Sequence, residues 1–474
     1  MMSLWGKDFE LIDTKAKTKS IVNKTKSPKN VKVEKAPKNT GASLFDRINS
    51  IKVDVLRILG VYKENTITLK SIIELRSYVD AAIKNDVVAI DTETNNSLDP
   101  LTCKIMGLCL YTPGQKNAYI PVNHTTMEGE RYDWQVTEDQ IKIELERIKA
   151  AKVKTIWHNA KFDYKVIKCT CNCEMPITWD TIIGARILNE NELADLKYQY
   201  IKYVDPSIEK YDIESLFEDI NYAIIDPELF ALYAATDSFM TYKLYEYQQE
   251  QFKLKENAGL QNIFNIEMQV IIPTAEMELT GVCVDIEFAK RLSDKWHHKK
   301  EFIDEKLNVE LDKLSPIIEE WRKTPEANFQ SIDPKTGKIK NSKNEQLKTP
   351  INLLSPTQLA ILLYDVLKVP VIDKQNPRGT GEEIIAQIKH PLCSLILEQR
   401  GIEKLLSTYI DKIPQCLSPK DNRLHTNFNQ LGANTGRYSS KKPNLQNIPS
   451  YEKSIRMMFI PTPGYVMVGS DYSL

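Results

Sequence analysis

Lys84–Glu93 reads KNDVVAIDTE. Lys84–Ile90 reads as a buried strand, and its apolar run Val87–Ile90 leads directly into Asp91-Thr92-Glu93. If the strand continues, its period of two puts Asp91 and Glu93 on one face. Two carboxylates at the end of a buried strand form half of a divalent-metal site. Taken alone, Asp-x-Glu is common in a chain with 27% charged residues, and a solvated turn accounts for it equally well.

Working outward, Ile105–Tyr111 and Ala118–Val122 read as two more strands around a Pro113-Gly114 turn. A polar helix over Glu138–Lys152 and a strand at Lys154–Trp157 follow. This alternation predicts an α/β domain with a mixed sheet, assigned to residues 61–256. Within it, Asn159 and Asp163 lie four apart on a predicted helix, as do Tyr233 and Asp237, so each pair shares a helix face. Singly, the first pair reads as an Asn cap and the second as an exposed Tyr/Asp pair. Together with Asp91 and Glu93 they supply four carboxylates in three ordered motifs. Hard cations such as Mg²⁺ or Mn²⁺ select oxygen ligands.

The three motifs resemble those of proofreading 3′–5′ exonucleases with an RNase H-like fold. Two divalent ions about 3.5–4 Å apart provide what phosphodiester hydrolysis needs, and under this resemblance Asp91 is assigned as the shared ligand, with Glu93, Asp163 and Asp237 completing the shells. The resemblance also implies that Tyr233 orients the attacking water and that Asn159 positions substrate. Residues 435–449 read TGRYSSKKPNLQNIP. By composition this is a basic loop, but the string closely resembles a motif of family A DNA polymerases, the polymerase I type. Glu267–Asp285, Ser355–Leu359 and Arg400–Tyr409 are similar to that family's thumb and its approach to the palm. The resemblance spans roughly 61–474 and implies a second, mainly helical region over 257–474. By the family pattern Arg437, Asn444 and Gln446 track the primer–template, reading base-pair geometry in the minor groove. Tyr465–Ser470 is expected to form a palm strand ending at Asp471, the candidate for a polymerase metal ligand. The chain then reads Tyr472-Ser473-Leu474, without the finger helix or second palm aspartate. The expectation is therefore trimming without nucleotide addition unless a C-terminal polymerase chain completes the site and admits dNTPs. A stand-alone 3′–5′ exonuclease and a non-catalytic DNA-binding subunit are the alternatives. The expected partners are primer–template DNA and single-stranded 3′ ends.

Composition bounds these readings. The chain has 474 residues, 42% of them hydrophobic, enough for more than one buried core. Its 63 basic and 64 acidic residues give a net charge of −1, so bulk charge argues neither for nor against nucleic acid. Residues 1–43 carry ten lysines against four acids and read as a basic arm, followed by a short helix over 44–60 opened by Ser43. No apolar run is long enough to span a membrane. The acidic residues near the N-terminus argue against a secretory leader, and eight sparse cysteines point to a reducing cytoplasm. Cys169, Cys171 and Cys173 depart from the usual zinc spacing and read as free thiols in an extended connector. Arg322–Thr349 is polar and lysine-rich and reads as an exposed excursion. The stripe Ile402, Leu405, Leu406, Tyr409, Ile410 and Ile413 reads as a core-facing helix surface.

Overall fold

The computed structural model describes residues 44–471 except 96, 208–216, 218–219, 333–336 and 434. The expected basic arm, Ser43 and Tyr472–Leu474 lie outside the described residues. Helix α1 (Leu44–Leu59) leads into strand β1 (Thr66–Thr68) and α2 (Ile72–Asn85). Ser71 caps α2 by accepting from Glu74 N, and Asp86 ends it in the left-handed region at φ 55°. That turn launches β2 (Val87–Thr94), followed by β3 (Ile105–Tyr111) and β4 (Asn117–Pro121). Next come α3 (Glu138–Ala150), started by a Thr137/Gln140 capping box, then β5 (Lys154–Trp157) and α4 (Ala160–Cys171). The first region closes with β6 (Trp179–Asp180), α5 (Thr181–Leu188), α6 (Leu196–Tyr203) and α7 (Pro227–Lys253).

Among the described residues, β1 to β6 form one mixed sheet in the order β1-β4-β3-β2-β5-β6. β2 is central, antiparallel to β3 and parallel to β5. Its Val88, Ala89 and Ile90 are fully buried, as an apolar run covered on both faces requires. Alternation then sorts the neighbouring strands. Leu108 and Leu110 face a cluster that includes residues of α2, α3 and α4, whereas Cys109 and Tyr119 face residues of α1 and the start of α7. Gly107, opposite Glu93 in the β2–β3 ladder, leaves room for the Tyr119 ring, with which any Cβ there would collide.

The second region is mainly helical. It runs through α8 (Leu260–Thr280), β7 (Val282–Val284) and α9 (Ile286–Arg322) to the helix Pro391–Leu405. Small strands follow: β8 (Arg423–Leu424), β9 (Asn427–Asn429), β10 (Ser439–Lys441) and β11 (Phe459–Ile460). The stripe from Ile402 to Ile413 is buried in this region's core. No helix among the described residues is long and apolar enough to cross a membrane.

Three expectations need correction and one is refined. The helical period over Glu287–Leu311 predicts a helix ending there, whereas α9 continues through Pro316 to Arg322. Burial of Leu314, Ile318 and Trp321 offsets the hydrogen bond that proline forfeits. The described residues of Arg322–Thr349 are mostly exposed, as expected, but the segment is tethered rather than free. The Arg322 guanidinium donates to Asn344 Oδ1 (2.6 Å) and Leu347 O (2.8 Å), and Ala327 and Leu347 are buried. Cys169 and Cys171 lie on α4 rather than in an extended connector, and Cys171 and Cys173 are buried. Finally, Tyr465–Ser470 forms no strand among the described residues. Its Tyr465, Val466, Met467 and Val468 are exposed, and without a pairing neighbour an apolar run has no ladder to join.

α8, which the sequence groups with the second region, lends Phe264 and Ile271 to the core of the first. Phe264 stacks on Trp179 at 4.2 Å between ring centroids and on Phe252 at 5.1 Å. Phe264→Ala is therefore expected to cost about 3–5 kcal/mol, as for other buried aromatic truncations. A lowered urea midpoint for the cooperative transition of the sheet region checks it.

Candidate active site

β2 delivers Asp91 and Glu93 to one face, and both are half-buried where the strand ends in a register shift at Glu93/Thr94. Asp163 comes from the first turn of α4 and is buried. Thr92, between the two strand acids, fixes it: Thr92 Oγ1 donates to Asp163 Oδ1 at 2.6 Å and Thr92 N donates to the same oxygen at 3.1 Å. Asp237 and Tyr233 lie one turn apart on α7, whose start is set by Asp226 as N-cap and Pro227 in the first turn. Electrostatics brings all four acids together. Burial, then Asp163, Glu93 and Asp237, hold the Asp91 carboxyl well above its ordinary range, and Lys197 pulls it down. Burial likewise raises Asp163 to about 7, opposed by its bonds from Thr92.

Tyr233 packs against Phe217 and Phe230. Lys197, on α6, extends its Nζ over the Tyr233 ring at 4.8 Å and stands 3.6 Å from Asp237 Oδ2. Lys197 brings an ammonium to this group of four acids. That donor set, all hard oxygens, fits divalent cations. Asp91, Glu93 and Cys109 bring their ligand atoms within 4.8 Å of one another.

Asn159 differs from expectation. It precedes α4 rather than sharing its face with Asp163, and it sits in the left-handed region at φ 70°. Its side chain caps nothing. The cap comes from buried Asp180, which accepts from Asn159 N and Ala160 N at 2.9 Å each. The Asn159 side chain is thereby left exposed at the rim.

Sequence reasoning passed over Thr92, Lys197 and Asp180. Thr92 was legible as the residue between the two acids. Lys197 and Asp180 carry no local signal, because only the tertiary fold brings them to the site.

The opposite face of α4 meets the second region. Lys161 and Lys165 both donate to Glu278 on α8, at 2.6 Å and 2.5 Å, with all three side chains largely buried. Glu278 Oε1 also accepts from Phe428 N of β9 (2.6 Å), and Lys161 donates to the Phe428 carbonyl. Tyr164 and Lys168 donate to Glu276, each at 2.6 Å.

β9 pairs with β10, the start of the Thr435–Pro449 loop. Arg437 is exposed there. Buried Ser440 accepts from Leu445 N (2.9 Å), and Asn444 Oδ1 accepts from Gln446 N (3.0 Å). Gln446 Nε2 donates to Tyr438 O at 2.9 Å, so this amide braces the loop. Asp471 is exposed, and no described residue joins it in a metal-ligand cluster.

Four converging acids on an RNase H-like sheet, followed by a mainly helical region, define the class: a 3′–5′ exonuclease fold joined to a polymerase-like fold. Residues 66–253 match the 3′–5′ exonuclease family and residues 322–474 the family A DNA polymerases. The DNA polymerase I of Borreliella burgdorferi is 28% identical over 100% of this chain and 47% of its own length. That of Chloroflexus aurantiacus is 29% identical over 81% of this chain and 38% of its own. Thermus aquaticus thermostable DNA polymerase I reaches 42% identity over 26% of this chain and 16% of its own length. A solved structure, the POL domain of Pol1 from M. smegmatis in complex with DNA primer-template and dNTP, superposes with a TM-score of 0.56. It shares 18% identity and is matched over 83% of this chain and 58% of that one. The chain is thus similar to family A DNA polymerases in one region and to 3′–5′ exonucleases in another. It spans less than half the length of these curated relatives.

Removing Glu278 would leave Lys161 and Lys165 buried without their carboxylate. Glu278→Ala is expected to cost about 3–5 kcal/mol, the range for breaking a buried pair from one side. Equilibrium urea unfolding measures it, and Glu278→Gln should recover part of the loss by keeping the acceptor.

Proposed function

We propose that this chain is a proofreading 3′–5′ exonuclease joined to the primer–template grip of a DNA polymerase. The observation that carries the reading is the convergence of Asp91, Glu93, Asp163 and Asp237 on one site. Asp91 would be shared between two Mg²⁺ or Mn²⁺ ions, with Glu93, Asp163 and Asp237 completing their shells, and such ions would supply neutralisation of phosphate charge and easier deprotonation of the attacking water.

The remaining work falls to the chain's own groups. Tyr233 orients the water whose oxygen attacks the terminal phosphorus, and the bond to the preceding nucleotide's 3′-oxygen breaks. Thr92 keeps Asp163 at a fixed angle through two hydrogen bonds to one oxygen. Lys197 holds Asp237 and Tyr233 as a pair. Asn159 positions the single-stranded 3′ end at the rim.

Arg437 and Asn444 contact duplex primer–template from the Thr435–Pro449 loop, and Gln446 supports them through Tyr438. Asp471 serves nucleotide addition as one metal ligand. dNTPs and a C-terminal polymerase polypeptide are the further partners that this reading assigns. The eight cysteines, none of them in a disulfide, suit a reducing cytoplasm.

A 5′-labelled primer–template incubated with the chain and Mg²⁺ should shorten stepwise from its 3′ end, and EDTA should stop it. Asp91→Ala should abolish trimming while leaving DNA binding within about twofold, because binding rests chiefly on phosphate contacts elsewhere. Trimming by Asp91→Ala at the wild-type rate would overturn the metal assignment. Arg437→Ala should weaken primer–template binding, read by fluorescence anisotropy, and spare hydrolysis of short single strands. Equal loss of both would place Arg437 in the hydrolytic site instead.

A further inference from the structure

We propose that Cys109 makes one corner of the acid cluster a binding position for a thiophilic divalent cation such as Zn²⁺ or Cd²⁺. The inference rests on reading the acids as a metal site. Cys109 is the direct cross-strand partner of Asp91 in the β2–β3 ladder, so both side chains leave the sheet on the same face. Its sulfur and the carboxylate oxygens of Asp91 and Glu93 lie within 4.8 Å of one another. Two donors on a single zinc ion, at about 2.0–2.3 Å each, are separated by at most about 4.6 Å. Small side-chain rotations therefore suffice to bring the three onto one ion.

The thiol is also uncommitted. Cys109 is fully buried. The sulfurs of Cys103, Cys171, Cys173 and Cys283 each make a polar contact, whereas none reaches that of Cys109 among the described residues. A buried, unpartnered sulfur aimed into a cluster of hard oxygens adds a donor that Mg²⁺ does not seek and Zn²⁺ prefers. On binding, the S–H bond breaks, sulfur keeps the electron pair and forms the metal–sulfur bond, and the proton leaves to solvent. Such an ion occupies Asp91 and Glu93, so it competes with the Mg²⁺ that hydrolysis needs. Cys109 thus sets which cations stop the exonuclease.

The test uses the full chain with Cd²⁺ and Zn²⁺ as probes. Titration with Cd²⁺ should give an ultraviolet sulfur-to-cadmium charge-transfer band that is smaller by one site's worth in Cys109→Ser and in Asp91→Ala. Zinc-edge X-ray absorption on the wild-type protein with one equivalent of Zn²⁺ should show one sulfur in an otherwise oxygen-rich shell, independently of how any variant folds. Each protein's Mg²⁺-dependent trimming, normalised to its own rate, should need at least about tenfold more Zn²⁺ for half-inhibition in Cys109→Ser. Loss of an outer-shell partner alone weakens metal affinity by that much. Equal cadmium bands in wild type and Cys109→Ser, or a zinc shell without sulfur, would overturn the proposal. Absence of Mg²⁺-dependent trimming by the wild type would instead overturn the exonuclease reading, and the cadmium band would still report on Cys109.

Discussion

Mutual repulsion among four carboxylates is the constraint around which the first region is built. Acids this close in a partly buried site drive one another apart, and only a stiff framework keeps them together until cations arrive. The framework here is the central strand of a six-stranded sheet, buried on both faces, with a helix anchored on each. Each anchor has its own fastening. Asp163 is held by Thr92, α4 is started by Asp180 rather than by its own cap residue, and Asp237 leans toward Lys197. The fold stores repulsion that the proposed cations would relieve.

The same helix that carries Asp163 inward presents Lys161, Tyr164, Lys165 and Lys168 to α8. A single carboxylate, Glu278, collects two of those lysines and a backbone N–H of β9. From β9 the ladder passes to β10 and the Arg437 loop. An unbroken set of polar contacts therefore connects the acid cluster's helix with the loop assigned to primer–template.

Much of this was legible in the sequence because the signals are local. Val87–Ile90 announced the central strand through its apolar run, and Asp91 and Glu93 followed from its period. Tyr233 and Asp237 share a face because α7 is an unbroken helix. Legibility failed where long-range packing decides. Asn159 left the helix face because Asp180, distant in sequence, took over the cap. Pro316 did not end α9 because Leu314 and Trp321 were already buried on either side of it. Tyr465–Val468 has the composition of a strand, but composition cannot supply the neighbour that a strand must pair with. Lys197 and Cys109 were invisible for the same reason: each is ordinary in its own segment and becomes notable only beside the acids.

The position of α8 bears on how such proteins can be inherited in parts. Sequence texture changes near residue 257, which invites the view that the two regions are exchangeable modules joined there. Phe264, Ile271, Glu276 and Glu278 belong to the physical body of the first region while lying in the text of the second. A recombination event at the visible seam would separate Lys161 and Lys165 from Glu278, Lys168 from Glu276, and Trp179 and Phe252 from the Phe264 ring. Crossovers that preserve both halves must fall beyond Thr280 and carry a compatible β9 with them. The heritable unit is therefore larger than the exonuclease motif set, and its true edge is the glycine at 281, where the chain turns at φ 60°.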